Sequence, residues 1–311
     1  MVVSNAYFYS PKGVLFVEGE DAATFLQGQF SQDLRISAGA TAYGLWLNSK
    51  GKILGDSFVL RISEQRFLAF SYSSETAFIQ ANLESRIIMD EVETSLPEAK
   101  FLGVTLWGAS IEAALDRLEM EVPTVGAFSS NGSVIAFWGR RGGERNLDLL
   151  VSDEGVYDAL KDWLIERAVH VLDTDKVSEM ALRSELFELA SDILETDLPQ
   201  ETGLDESAVS YRKGCYIGQE VMARLKAMGQ ARRSLAFVLV SCIPEGEGPW
   251  KLLDEAGKRA GQLRRVLSGS AGIVGSAMLR KTSSSGPFFV DGQSESIVTA
   301  MRKGGDQSHE S

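Results

Sequence analysis

The chain has 311 residues, 44% of them hydrophobic and 24% charged, with a formal net charge of −12. That length supports two or three domains, and the acidic balance excludes generalised nucleic-acid binding through a basic surface. The two cysteines (Cys215, Cys242) and two histidines (His170, His309) are too few for a disulfide scaffold or a self-contained zinc or iron–sulfur site.

In chain order, a strand at 14–17 leads into a helix over 21–29. A hairpin follows, with strands 42–47 and 52–62 turning through Asn48-Ser49-Lys50-Gly51, then a strand at 66–71 and a helix from Ser74. From Phe101 the order repeats. A strand at 101–106 precedes a helix from Ser110 to Glu119, strands at 133–138 and 145–151, a helix capped by Asp153, and a strand at 168–172. That is a β-α-β-β-α-β unit, the ferredoxin-like arrangement, and two such units in succession suggest duplication. Trp107, Trp138 and Trp163 fall in apolar patterns and read as core, and His170 reads as a structural residue beside a strand.

One amphipathic helix is expected from Thr174 to Ile193, with Leu182, Leu186, Leu189 and Ile193 on one face. Beyond Ser234, short apolar runs between glycines replace helical periodicity and read as a small barrel. The fold class is therefore α+β, with units at 1–100 and 101–234, an all-β module at 235–303 and a disordered tail at 304–311. No apolar run is long enough to span a bilayer. Residues 1–10 lack the features of a signal peptide, so a cytoplasmic setting is expected.

Charge is unevenly distributed. Residues 185–206 carry eight acids and no Lys or Arg, whereas 211–234 carry Arg212, Lys213, Arg224, Lys226, Arg232 and Arg233 against Glu220 alone. The second block is either an anion site or a face paired with the acidic stretch before it. Within it, Cys215 lies between Gly214 and Gly218, near Lys213 and just before a helix start. That setting favours the thiolate, below the usual thiol pKa of about 8.5.

The string Lys213-Gly214-Cys215-Tyr216-Ile217-Gly218-Gln219-Glu220 resembles the signature of the YgfZ family, relatives of the glycine-cleavage T protein. Segments 17–29, 43–52, 182–185 and 198–205 are similar to the family in the same order, so the resemblance extends to about Ser234. It implies a folate-binding region of two ferredoxin-like subdomains with a C-terminal barrel around a central channel. It further implies tetrahydrofolate or a reduced derivative as cofactor, with Glu185 holding the pteridine. Lys213, Tyr216, Arg224 and Asp56 are further folate-site candidates, and Cys215 is the reactive residue. A carboxylate at Glu185 can accept two N–H bonds from an aminopterin ring.

The function so implied is support of iron–sulfur cluster assembly or repair, with iron–sulfur clients including tRNA-thiolating enzymes as partners and no direct nucleic-acid binding. The transferase carries two consecutive acids where this chain has Gly55-Asp56. The alternative reading, a tetrahydrofolate-dependent aminomethyltransferase, must contend with that loss.

Overall fold

The computed structural model describes residues 4–229, 231–282 and 286–301; the tail expected at 304–311, with His309, lies outside them. Its first sheet is antiparallel, in the order Thr41–Leu47, Ile53–Arg61, Arg66–Ser71, Gly13–Glu18, Glu93–Ser95. Successive side chains on a strand face opposite ways, and both faces here are covered. Val59, Phe67 and Ala69 pack with Phe25, Leu26, Ile79 and Leu83 of the helices Ala22–Gln29 and Thr76–Glu84. Phe58, Leu60, Leu68 and Phe70 pack instead with Phe137 and Leu150 of a second sheet. Burial on both sides explains why residues 55–60 of the strand Ile53–Arg61 are buried whichever way they face.

The second sheet has the order His170–Val171, Asn5–Tyr9, Leu102–Trp107, Asn146–Val151, Val134–Trp138, Phe128–Ser130. Its outer face carries the helices Ser110–Arg117 and Glu154–Glu166. Each unit runs strand, helix, three strands, helix, strand, a ferredoxin-like core with one added strand. The two sheets also share one spatial order, except that Asn5–Tyr9 is inserted between the last and first strands of the second unit. It pairs in parallel with His170–Val171 and antiparallel with Leu102–Trp107, so residues 5–9, reckoned with the first unit from the sequence, belong to the second sheet. Six strands between Arg233 and Ala300 close a barrel around Val238, Leu252, Leu263, Ala277, Phe288 and Val298.

The connector departs from expectation. Its first helix spans Thr174–Arg183 and does not continue to Ile193. The amide of Leu186 donates to the Ala181 carbonyl and that of Glu185 to the Leu182 carbonyl, with Glu185 left-handed at φ 54°. This is a Schellman stop made without glycine. Tertiary burial outweighs helical periodicity here, since Phe187 and Ile193 turn into the core shared by the first sheet and the barrel. Glu188, Asp192, Asp197 and Glu201 then reach arginines of the barrel strands. Arg264 pairs with Asp197, Arg265 with Glu188 at 2.7 Å, and Arg233 with Glu201 at 2.7 Å. The acidic stretch thus serves the barrel, and of the basic block after it only Arg233 joins these pairs.

Candidate functional site

Two places hold the candidate residues. One is a channel where the two sheets and the connector meet. Because Asp56 alternates with Gly55 on its strand, its carboxylate faces the channel while position 55 faces the helices. A Cβ at Gly55 would stand 2.7 Å from the Phe78 ring, so a second acid there would have to displace that ring. The Asp56 carboxylate is buried and fully engaged. It accepts from Tyr43 Oη at 2.9 Å, Ser71 Oγ at 2.7 Å and Ser74 Oγ at 3.0 Å. Burial, and then the Asp56 charge, push the Tyr43 phenol well above its ordinary pKa, which keeps it a donor.

Across the channel, Asp148 is completely buried on the second sheet. It accepts from Tyr9 Oη at 2.9 Å, Thr105 Oγ1 at 2.6 Å and Tyr72 Oη. Burial raises its pKa, opposed by Arg141 and by these donors. The Arg141 guanidinium lies 4.0 Å from the ring centres of both Tyr9 and Tyr72, and Arg140 lies 4.2 Å over Tyr43. Burial works against the Arg141 charge, but Tyr9, Tyr72 and Asp148 outweigh it and hold its pKa above the ordinary value. Gly139 makes this approach possible, because a Cβ there would meet Asp148 Oδ2 at 2.0 Å.

These groups line two adjoining spaces. The inner recess, walled by Tyr43, Asp56, Arg140 and Phe187, holds about 40 Å³, room for little more than a water or two. The outer cleft holds about 470 Å³ and shares Tyr72, Arg141, Val177 and Glu188 with the recess, a volume typical of small-molecule sites. It offers the stacked rings of Tyr7 and Tyr9, the cations Lys12, Arg141 and Arg265, and the Glu188 carboxylate. Aromatic faces suit a flat heterocycle and guanidinium groups suit carboxylates. In size and donor set this cleft fits a reduced folate.

The other place is the loop before the helix Gln219–Met228. Lys213 is buried, and its Nζ donates to the carbonyls of Phe30 at 2.7 Å and Gln32 at 2.8 Å. Burial lowers its pKa to about 8, with Asp33 acting in the opposite sense. Tyr216 sits in the core with Leu45, Leu47, Ile53 and Met222, and burial raises its phenol to about 12. The Ile217 amide donates to the Gly28 carbonyl at 3.2 Å. Gly218 is left-handed at φ 85° and abuts the Asn48-to-Gly51 turn so closely that a Cβ would lie 2.9 Å from the Asn48 carbonyl oxygen. Between these ties Cys215 is exposed, with a free thiol.

Of the residues selected from the sequence, Asp56 lies in the channel wall. Glu185 is half-buried, one residue before the wall segment Leu186–Glu188. Lys213, Tyr216 and Arg224 are not brought to the cleft. The first two are struts inside the protein, and Arg224 is exposed on the helix Gln219–Met228. Sequence reading missed Tyr9, Tyr43, Tyr72, Arg140, Arg141 and Asp148. Its one available signal was Arg140-Arg141 beside the glycines of the 139–143 turn.

Among the described residues no helix is long and apolar enough to cross a membrane, and no group of three or more His, Cys, Asp or Glu side chains could hold a metal ion.

Residues 9–128 match the GCVT N-terminal domain model. The chain is 28% identical over 259 residues to the tRNA-modifying protein YgfZ of Escherichia fergusonii, covering 79% of this chain and 76% of that one. It is 24% identical over 244 residues to the mitochondrial iron-sulfur cluster assembly factor IBA57 homolog of Cryptococcus neoformans, covering 72% of this chain. The matched stretch spans only 63% of that fungal protein's length. In three dimensions the chain is similar to the glycine cleavage system aminomethyltransferase T of Bartonella henselae, with a TM-score of 0.83, 17% identity and 97% of this chain and 86% of that chain covered. That likeness shows a common fold.

Proposed function

The chain belongs to the YgfZ family, related to the glycine-cleavage aminomethyltransferase, and from that premise we propose that it is a folate-binding accessory protein of iron–sulfur cluster assembly. In this reading a reduced folate occupies the cleft between the sheets, and Cys215 acts on iron–sulfur clients, including enzymes that thiolate tRNA. The cytoplasmic setting expected from the sequence belongs to the same proposal.

The observation that carries it is the exposed Cys215 thiol on a loop whose neighbours are tied into the interior. A thiol presented this way can form a mixed disulfide or lend one ligand to a cluster, although it cannot hold a cluster by itself. At the cleft, Arg141 and Lys12 supply charge for carboxylates and the tyrosines supply ring faces. Glu185, next to the wall, remains the proposed pteridine-holding acid. A bound reduced folate would supply one-carbon or reducing chemistry; the chain's own residues bind, orient and exclude water.

Replacing Cys215 with Ala is the test. Cells carrying C215A should lose activity of their iron–sulfur and tRNA-thiolating enzymes, while the purified variant keeps wild-type affinity for tetrahydrofolate by calorimetry. Full enzyme activity in those cells would overturn the proposal.

A one-carbon transferase is the second reading, favoured by the channel-facing acid Asp56 beside Tyr43. Release of methylenetetrahydrofolate from a methylamine-loaded lipoyl carrier would promote it. The closed space at Gly55 leads us to expect none.

A further inference from the structure

Arg233 and Arg280 lie directly opposite each other on paired barrel strands, a placement that costs stability when the charges are alike. Arg233 is compensated by Asp197 at 3.1 Å and Glu201 at 2.7 Å. Lys281 joins the same point through its amide, which donates to the Arg232 carbonyl at 3.0 Å. Arg232, Arg280 and Lys281 are exposed and, among the described residues, have no carboxylate partner within ion-pair distance. The chain has 43 acids against 31 basic residues, yet among the described residues Glu201 is the one acid lining this cleft of about 760 Å³. Such a concentration of uncompensated cations is left open for something from outside.

The helix Gln219–Met228 leads from this cleft back to the Cys215 loop. Its ten residues cover about 15 Å. Exposed along it are Arg224, Lys226 and Met228, the last 67% exposed, against one exposed acid, Glu220, in its first turn, and Lys226 Nζ sits 3.7 Å over the Tyr211 ring.

We propose that the surface from Arg280 and Lys281 along this helix to Cys215 docks an acidic, partly apolar segment of a partner protein. The charge complementarity names the partner's sign, and exposed Met228 supplies an apolar contact. A polynucleotide fits less well. It would need a row of phosphate contacts, and beyond this short strip it would meet the field of a chain with net charge −12. This inference deepens the assembly reading by giving the client a place to sit, but its test needs neither folate nor the thiol.

The test uses the full chain carrying C215A and a fluorescein-labelled decapeptide of alternating Glu and Leu, titrated by anisotropy at low salt. Arg280→Glu with Lys281→Glu should weaken binding at least tenfold. Arg117→Glu with Lys161→Glu changes net charge equally on helices of the second unit and should leave affinity within twofold. The milder pair Arg280→Gln and Lys281→Gln, checked by thermal melting, should still weaken binding several-fold and guards against misfolding of the first pair. Equal losses in both Glu pairs, or no peptide binding, would overturn the proposal. So would a single-stranded RNA dodecamer that binds more tightly than the peptide and is lost with Arg280 and Lys281.

Discussion

The Cys215 loop and the channel are built on opposite plans. In the loop, charge and ring are spent inward: Lys213 and Tyr216 vanish into the protein so that one small thiol stands outside. In the channel, the ionisable groups face one another across the sheets, and the Asp56 and Asp148 carboxylates each accept from three hydroxyl donors before any ligand arrives. Fixed residue types therefore mean different things in the two places. Around Cys215 they hold a frame; around Asp56 and Asp148 they set the polarity of a wall.

The largest expected effect tests whether the channel network is a unit of stability. Asp148→Asn presents an amide nitrogen to hydroxyls that need an acceptor and leaves Arg141 without its buried counter-charge. It should cost about 3 kcal/mol in urea denaturation. If the two regions are independent, the alkylation rate of Cys215 in the same variant should stay at its wild-type value. A changed rate would break the comparison.

Lys213→Met sharpens it from the other side. Two buried carbonyls lose their donor, which should cost about 2 kcal/mol, while tetrahydrofolate affinity stays unchanged. The loss should also depend on pH. Folded Lys213 releases its proton near 8, below the ordinary lysine value of 10.5. Between those values the unfolded chain binds more protons than the folded one, so stability from this residue rises with pH. The wild-type advantage over K213M should thus be greater at pH 9.5 than at pH 7.5. An advantage that shrinks with pH would show that the ammonium is not held at a cost.

The smallest effect concerns the channel's rim. Ala190 is exposed and left-handed at φ 68°, a conformation that costs a residue with a Cβ about 1–2 kcal/mol. Glycine removes that cost but adds about 0.5–1 kcal/mol of chain entropy. Ala190→Gly should raise stability by about 0.5 kcal/mol in thermal melting, with Cys215 reactivity unmoved.

The two plans also explain what sequence reading could find. The Cys215 loop was legible because its frame and its thiol are contiguous, from Lys213 to Gln219. What could not be read there was direction, since nothing in the string says that Lys213 points inward to the Phe30 and Gln32 carbonyls. The channel was opaque for another reason. Tyr9, Tyr72, Thr105, Arg141 and Asp148 come from separate strands and turns, and each alone looks like an ordinary member of an alternating pattern. The helix overrun past Arg183 has a similar cause. Leucine spacing continues to Ile193, and the left-handed stop falls on Glu185, where no glycine announces it. The strands Phe128–Ser130 and Trp250–Leu253 are too short for periodicity to register.

The strand Asn5–Tyr9 carries a consequence for how the molecule comes together. Its partners are Leu102–Trp107 and His170–Val171, so it is joined to chain synthesised about 100 and 165 residues later. The first sheet can close from neighbouring segments while this strand waits unpaired. The second sheet then completes around a guest from the far side of its sibling, at the entropic cost of a very long loop. The duplicated halves are in this sense stitched rather than strung. A cut between them, at any residue near 100, would leave the second half with a gap between its first and last strands and the first half with a strand that has nowhere to go.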